Sequence, residues 1–181
     1  TVEMLLLSGS NGRNQVPVSK VGKIVAKTMM TVMGSEKEAE LIRNAQDLMF
    51  NKKIRNRSTK SDWLSTNESE VGKYVQSSDM GFSFTTSAYY YLFNGICQNF
   101  NGINLRRIPE EMPVLIFSGD RDPVGDYGKG PENLEKMYRK NGLKNVQLML
   151  YENRRHELFN EGNREQVIED VTEFIKKNLP S

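Results

Sequence analysis

Three short stretches of the chain are apolar at almost every position. They are Val2 to Ser8, Pro113 to Ser118, and Val146 to Tyr151, the last of which contains the polar Gln147. A short apolar run bounded by turn residues is typical of a strand buried on both faces of a parallel sheet. The turn Gly9 to Gly12 ends the first run in this way. We therefore predict an α/β fold with about three parallel strands.

Helical spacing of apolar residues follows the second and third strands. After the second strand, Gly130-Pro131 places proline at the start of a helix that ends at Asn141-Gly142. After the third strand, Asn163 to Gln166 resembles a capping box. The apolar positions that recur at helical spacing are Leu134, Met137, Tyr138, Val167, Ile168, Val171, Phe174 and Ile175. A strand, helix and parallel strand in succession form a unit that is almost always right-handed.

The stretch from Pro17 to Leu105 contains no convincing strand and has the pattern of successive helices. The predicted helices are Val18 to Met33, Glu36 to Asn51, short pieces around Trp63 and Val71, and Thr85 to Gln98. We therefore predict an α/β core made of residues 1–12 and 106–181, with flanking helices, and a helical insertion over residues 13–105.

Flexible and aromatic side chains are concentrated in this insertion. They are Met29, Met30, Met33, Met49, Phe50, Met80, Phe82, Phe84, Tyr89, Tyr90, Tyr91 and Phe93. Such side chains can line a pocket for an acyl chain, and they can equally form the packed interior between helices.

Composition and charge exclude several functions. The chain has 25 Lys+Arg against 23 Asp+Glu, so we expect no nucleic-acid binding. The single cysteine excludes an internal disulfide framework and a thiolate zinc site. It fits a reducing compartment or carries no information about location, and the location we expect is cytoplasmic. No apolar run approaches the roughly 20 residues of a membrane span, so stable membrane insertion is not expected. The local basic cluster, Lys52, Lys53, Arg55, Arg57 and Lys60, is a solvated connector or a site that attracts anionic head groups.

The candidate chemistry lies in the loops after the second and third strands. His156 is the only histidine in the sequence, so a multi-histidine metal site is excluded and any imidazole chemistry takes place there. Asp122 follows the preceding strand. The carboxyl ends of parallel strands meet at one edge of a sheet, so we expect these two side chains to lie within hydrogen-bond reach. An acid followed by a histidine is the late half of a Ser, Asp, His chain order, in which the acid orients the base.

Several other residues compete for these roles. Asp120 is the alternative acid, although Pro123 and the Gly-x-x-Asp spacing favour Asp122. Cys97 lies on an apolar helical face and is more typical of a core residue than of a nucleophile. The glycine-rich run Gly125 to Gly130 lacks the Lys-Ser or Lys-Thr pair of a phosphate loop and leads into a helix. Both candidate residues could also be ordinary surface residues. We expect neither a metal nor a cofactor.

Five segments together resemble a known family. They are Ser61-Asp-Trp-Leu-Ser65, Val71-Gly-Lys-Tyr74, Gly81-Phe-Ser-Phe-Thr85, Pro113-Val-Leu-Ile-Phe-Ser-Gly-Asp-Arg-Asp-Pro-Val-Gly125 and Arg155-His-Glu157. The chain is similar to the α/β-hydrolases of the serine aminopeptidase and lysophospholipase (monoacylglycerol lipase-like) group, over nearly its whole length but only to the back half of that family's domain. The resemblance implies that Asp122 is the triad acid, that His156 is the base, and that the insertion is a cap over an acyl pocket.

The nucleophile of that family has no counterpart in the sequence. A Gly-x-Ser-x-Gly elbow is absent, and Gly9-Ser10-Asn11-Gly12 has the wrong spacing and follows the wrong strand, so we interpret Ser10 as a turn residue. We expect the serine and the oxyanion donors to precede Thr1, and we expect the chain alone not to hydrolyse esters.

The expected function is therefore that of the C-terminal part of a serine hydrolase acting on carboxylic esters, with lysophospholipid or monoacylglycerol-like lipids as substrates. The alternatives are a non-catalytic binding module with a hydrolase-like fold and an aminopeptidase on the same fold. The first strand is apolar enough for a sheet interior, so we also expect its free edge to self-associate or to pair with a missing N-terminal half.

Overall fold

The computed structural model of the protein describes residues 2–179. Its sheet consists of β1 (Leu5–Ser8), β2 (Val114–Gly119) and β3 (Val146–Tyr151). The strands are parallel in the order β1-β2-β3, and Ile116 of β2 pairs with Leu7 on one side and Leu148 on the other. The predicted α/β fold with three parallel strands is confirmed, although β1 begins at Leu5 rather than Val2.

Helices fill the three intervals of the described chain around these strands. The stretch between β1 and β2 holds α1 (Val16–Met33), α2 (Glu40–Phe50), α3 (Glu68–Gln76), α4 (Thr86–Asn99) and α5 (Gly102–Leu105); α6 (Lys129–Lys140) joins β2 to β3; α7 (Arg164–Asn178) follows β3. In the stretch of the described chain that connects β1 to β2, the only β-type pairing is an isolated antiparallel bridge between Glu38 and Thr85. The division into a core of 1–12 and 106–181 and a cap of 13–105 stays a prediction.

The strand β2 forms the centre of the core, because it is buried at all six positions. Successive side chains of a strand point to opposite faces, so Val114 and Ile116 lie on one face and Leu115 and Phe117 on the other. The first face packs with Leu105, Leu134, Tyr138, Leu143 and Val146, and the second with Tyr151, Leu158, Val167, Val171 and Phe174. Helices on both faces explain why β2 is continuously apolar instead of alternating.

The helical insertion has a small apolar cluster of its own. Its buried members are Ala26, Ala39, Ile42, Tyr89 and Phe93. The helices α1 and α4 approach closely at Gly22, where an added Cβ would lie 2.7 Å from the Phe93 ring. Phe93 and Tyr89 therefore belong to the packed interior between helices, which is one of the two roles predicted for the aromatic residues of the insertion.

The helix predicted from Glu36 begins only at Glu40. The segment before it pairs with the chain that leads into α4: Ala39 N–H donates to the Phe84 carbonyl at 2.9 Å, and Thr86 N–H donates to the Lys37 carbonyl at 2.8 Å. These long-range hydrogen bonds replace the local helical ones, so the predicted start was wrong.

Two other local predictions were wrong as well. The piece around Trp63 is a set of turns, which the Asp62 carboxylate stabilises by accepting the Ser58 and Thr59 N–H groups at 2.7 and 3.0 Å. Asn163 is the N-cap residue of α7, but its side chain accepts no capping hydrogen bond. The capping-box pattern therefore marked the start of the helix correctly without describing its contacts.

Candidate active site

The loop after β2 holds Asp122 in a fully buried position, 0% exposed. Its Oδ1 accepts the Val124 N–H at 2.8 Å, and its Oδ2 lies 3.3 Å from the Ser118 hydroxyl, which donates to it. The Tyr127 N–H donates to the Asp122 carbonyl at 2.8 Å, which closes the loop on itself. A buried carboxylate requires such donors, and here β2 supplies one through Ser118 and the loop supplies the other through Val124.

The loops after β2 and β3 are bonded to each other. Arg121 N–H donates to the Arg154 carbonyl at 2.8 Å, and Asp120 Oδ1 accepts the Asn153 N–H at 2.6 Å. Gly119 permits this approach, because a Cβ there would lie 2.0 Å from the Arg154 carbonyl oxygen. Asp120, the alternative acid of the sequence analysis, thus binds backbone in this contact rather than the imidazole.

The loop after β3 brings His156 to Asp122. The imidazole Nδ1 lies 3.0 Å from Asp122 Oδ2, within the hydrogen-bond reach that the sequence predicts. The histidine side chain is 28% exposed, whereas that of Asp122 is 0% exposed. An ionised carboxylate only accepts hydrogen bonds, so this pairing assigns a proton to Nδ1 and leaves Nε2 as the nitrogen that can take up a proton.

The backbone of the loop after β1 lies directly against the imidazole. Gly9 has φ +58°, and a Cβ at that position would lie 2.8 Å from both Cε1 and Nδ1 of His156. Two residues later, the Asn11 side-chain amide donates to the Val124 carbonyl in the acid loop. Ser10 lies between these residues in the same loop. All three strands therefore end in loops that meet at the Asp122–His156 pair.

The insertion contributes an indole ring to the other side of the site. The ring centroids of Trp63 and His156 are 5.3 Å apart, and that of Phe50 lies 4.9 Å beyond Trp63. Trp63 also lines a cavity of about 370 Å³ in the insertion. The other apolar and aromatic residues of its wall include Phe50, Tyr74, Met80, Phe82, Phe84 and Tyr89. Five of the residues predicted to line an acyl pocket thus surround one cavity, and Trp63 in its wall is the residue that contacts the His156 ring.

One ion pair lies in the wall of the cavity. Arg43 Nε is 3.9 Å from Asp47 Oδ2, and both residues line the cavity. Burial raises the pKa of Asp47 above its ordinary value, and this effect outweighs the opposing influence of the Arg43 and Lys60 charges. The cavity is therefore mainly apolar, with a single partly buried charged pair.

The remaining candidates lie outside this group. The basic cluster occupies the turns between α2 and α3, where the Lys53 ammonium sits 4.1 Å from the centre of the Tyr127 ring. Cys97 is half-buried on α4. The run Gly125 to Gly130 leads into α6, as predicted, with the Gly130 N–H donating to the Gly125 carbonyl. Within residues 2–179, no cluster of three or more His, Cys, Asp or Glu side chains could hold a metal ion.

Three residues around the Asp122–His156 pair were not predicted from the sequence to lie there: Gly9, Ser118 and Trp63. Gly9 had one available signal, since a glycine at the carboxyl end of a predicted strand often marks a close approach of backbone. Ser118 is hidden in an apolar strand, and the contact of Trp63 with His156 joins residues far apart in the sequence, so neither had a local signal.

None of the helices in residues 2–179 is long and apolar enough to span a membrane.

Comparison with known proteins identifies the family. The family described as serine aminopeptidase, S33 matches residues 1–163. A search of the curated proteins found no match. Among solved structures, a highly thermostable carboxyl esterase from Bacillus coagulans superposes with a TM-score of 0.84 at 24% identity, over 98% of this chain and 57% of the esterase.

Two further structures show the same fold. A lipase in its open form matches with a TM-score of 0.82 at 22% identity, over 97% of this chain and 57% of the lipase. A monoglyceride lipase from Saccharomyces cerevisiae matches with a TM-score of 0.60 at 16% identity, over 96% of this chain and 55% of that protein. The chain thus spans little more than half the length of these structures. From the family match and these superpositions we conclude that the chain belongs to the serine aminopeptidase S33 family and has the α/β-hydrolase fold.

Proposed function

We propose that this chain is the cap and C-terminal core of a serine hydrolase that cleaves carboxylic esters, with Asp122 as the acid and His156 as the base of a Ser-His-Asp triad. The observation that carries this proposal is the 3.0 Å contact between His156 Nδ1 and the fully buried Asp122 carboxylate. A buried acid that orients a partly exposed imidazole is the arrangement that general-base catalysis needs.

Each residue has a defined part in this mechanism. Nε2 of His156 removes the proton from a serine hydroxyl as the hydroxyl oxygen attacks the ester carbonyl. Asp122 keeps the proton on Nδ1 and stabilises the imidazolium that forms. His156 then gives the proton to the departing alcohol, which leaves an acyl-serine that water hydrolyses by the same steps. The serine and the oxyanion donors belong to sequence outside these 181 residues.

The cavity in the insertion supports the proposal that the enzyme recognises its substrate by an apolar acyl group. Its volume of about 370 Å³ lies at the lower end of the range of small-molecule pockets, roughly 300 to 1,000 Å³. Its aromatic wall continues to Trp63 beside the base. These features support lysophospholipid or monoacylglycerol-like lipids as substrates, residues 13–105 as the cap, and residues 1–12 and 106–181 as the core.

Amide cleavage by the same machinery is the second candidate, because the matching family is described as a serine aminopeptidase. Measuring kcat/KM for a short acyl ester and for an aminoacyl anilide distinguishes an esterase from an aminopeptidase. A higher kcat/KM for the anilide would favour the peptidase.

The outer edge of β1 supports the proposal that this chain pairs with another strand. Within the described residues, β1 pairs with β2 alone, although Leu5 and Leu7 pack against the core. We infer that this edge pairs with another strand, from an N-terminal half or from a second copy of the chain. The single cysteine supports a cytoplasmic location.

The test uses the full-length protein that contains this chain. Labelling of the nucleophile with a fluorophosphonate and hydrolysis of a short-chain p-nitrophenyl ester are measured for His156→Ala, Asp122→Asn and Asp126→Asn. We expect labelling to be lost in the first variant and kcat to fall by roughly 10⁴-fold in the second, since the imidazole loses its orienting acid.

Asp126→Asn is the matched control. Asp126 is exposed in the same loop at φ +47°, a conformation that asparagine tolerates. It should keep wild-type activity. Equal labelling of the wild type and His156→Ala would refute the proposal, as would equal rates for the two aspartate variants.

A further inference from the structure

A second carboxylate is buried next to the site and has no part in the mechanism above. Glu161 follows a short 3-10 helix (Leu158–Asn160) and precedes α7, and its side chain is 0% exposed. Burying a carboxylate is costly unless donors or cations compensate for the lost water. The contacts of Glu161 therefore indicate what the buried charge holds in place.

Among the described residues, the hydrogen-bond and ion-pair partners of this carboxylate are donors or cations. Oε1 accepts the Arg155 N–H at 2.9 Å and the Thr66 N–H at 2.9 Å, and Oε2 accepts the Thr66 hydroxyl. Nη1 of Arg154 lies 3.8 Å from Oε2. One carboxylate thus joins the residue immediately before His156 to a residue of the insertion.

Further hydrogen bonds connect the same two stretches of chain. Nη1 of Arg155 donates to the Asp62 and Ser65 carbonyls at 2.5 and 3.0 Å. On the other side of His156, the Glu157 N–H donates to the Leu64 carbonyl at 2.7 Å. Both chain neighbours of the imidazole are therefore bound to residues 62–66, which we call the Trp63 segment.

The Trp63 segment in turn places the indole 5.3 Å from the imidazole. We propose that Glu161 is a positioning residue for His156: its buried carboxylate holds the histidine loop and the Trp63 segment as one unit, so that the imidazole keeps its contact with Asp122. The proposal rests on the proposed function of His156 as the base. Reactive side chains are commonly oriented by hydrogen bonds from residues that do not themselves touch the substrate, and Glu161 would have this role for His156.

The hydrogen bond from His156 to Asp122 can be observed directly. An imidazole N–H that donates to a carboxylate gives a far-downfield proton NMR signal, and loss of the signal in His156→Gln assigns it in the full-length protein. We expect this signal to disappear or broaden in Glu161→Ala, with kcat for a short ester falling roughly 10- to 100-fold. We expect Glu161→Gln to retain both, because its amide oxygen can still accept the Arg155 and Thr66 N–H groups.

A control separates positioning from general stability. Val146→Ala removes two buried methyl groups at the start of β3, from the core cluster on the other face of the sheet, and that cluster contains no residue of the histidine loop or of the Trp63 segment. It should lower the melting temperature and leave the proton signal unchanged. If Glu161→Ala does not fold, Thr66→Val provides the test, because it removes one donor to the carboxylate and keeps the side-chain shape; we expect faster solvent exchange of the signal.

The outcomes distinguish this proposal from the proposed function. The proton signal is recorded without substrate, so it reports on Glu161 even if the full-length protein hydrolyses no ester. A wild-type signal in folded Glu161→Ala would overturn the positioning role, as would an unchanged exchange rate in Thr66→Val. Loss of the signal in Val146→Ala would also overturn it, since any destabilisation of the core would then have the same effect.

Discussion

At the scale of single residues, close contacts on several sides leave the His156 imidazole and its partner Asp122 little freedom to move. Asp122 is fixed by the Val124 N–H and the Ser118 hydroxyl, and Gly9 brings backbone against the imidazole. Reacting groups that are misplaced by about 1 Å can lose about 100-fold in rate. We therefore expect changes at the residues in contact with the imidazole to lower the rate, although by less than loss of the proposed acid Asp122.

Gly9→Ala tests the contact beneath the ring. The new Cβ would lie 2.8 Å from Cε1 and Nδ1 of His156, so the imidazole has to move away from Asp122. We expect kcat for a short ester to fall about 100-fold in the full-length protein. The control is Gly34→Ala, since Gly34 also has a positive φ (+98°) but has no neighbouring atom within 4 Å of the added Cβ. An equal loss in both variants would assign the effect to backbone strain.

Trp63→Ala tests the link between the base and the cavity. Because the indole lines the cavity, its removal should lower kcat/KM for a medium-chain ester by about 10- to 200-fold relative to an acetyl ester. Trp63→Phe keeps an aromatic wall and should retain most of the preference. Parallel changes for both esters in Trp63→Ala would place the acyl group elsewhere.

The site residues that sequence reasoning found were those with local signals. Asp122 and His156 follow apolar strands within loops of recognisable spacing, so their meeting could be predicted from parallel topology alone. Gly9 lies against His156, which is more than a hundred residues away in the sequence. Glu161 is buried between two loops and binds the distant Thr66. Their role depends on tertiary contacts that no periodicity encodes.

At the scale of elements, the strands were easier to predict than the helix ends. A strand such as β2, buried on both faces, carries an unbroken apolar run, and this signal does not depend on its partners. The start of α2 depends on the pairing of residues 37 and 39 with the chain before α4. Hydrogen bonds between distant segments decided that boundary, and helical propensity could not reveal them.

The helix α2 also carries a testable pH dependence. Burial raises the pKa of Asp47 above 3.8, so the folded state favours the protonated acid. Its contribution to stability is complete below pH 3.8 and is lost as pH rises through the higher folded-state pKa. We expect Asp47→Asn to melt above the wild type at neutral pH, with the gain disappearing in acid. Thermal melts across this range are the measurement, and an equal gain in the exposed Asp79→Asn would assign the effect to net charge.

At the scale of the whole molecule, the free edge of β1 is the feature with the largest consequence. Leu6 on this strand is 36% exposed, and an unpaired apolar edge is a template for another chain. We expect the 181-residue chain alone to self-associate in light scattering, and Leu6→Lys to reduce that association. A monomeric wild-type chain at the same concentration would contradict the expectation.

The proposed catalytic residues and the cavity come from separate stretches of the polypeptide. Asp122 and His156 follow the two strands of one continuous strand-helix-strand piece, whereas the walls of the cavity come from residues 43–92. The cavity walls can therefore change in evolution without changing the catalytic residues, provided that the contacts of Glu161 between the histidine loop and the Trp63 segment are preserved. Chimaeras that exchange the insertion between relatives are expected to keep their reactivity and to acquire the donor's preference for esters.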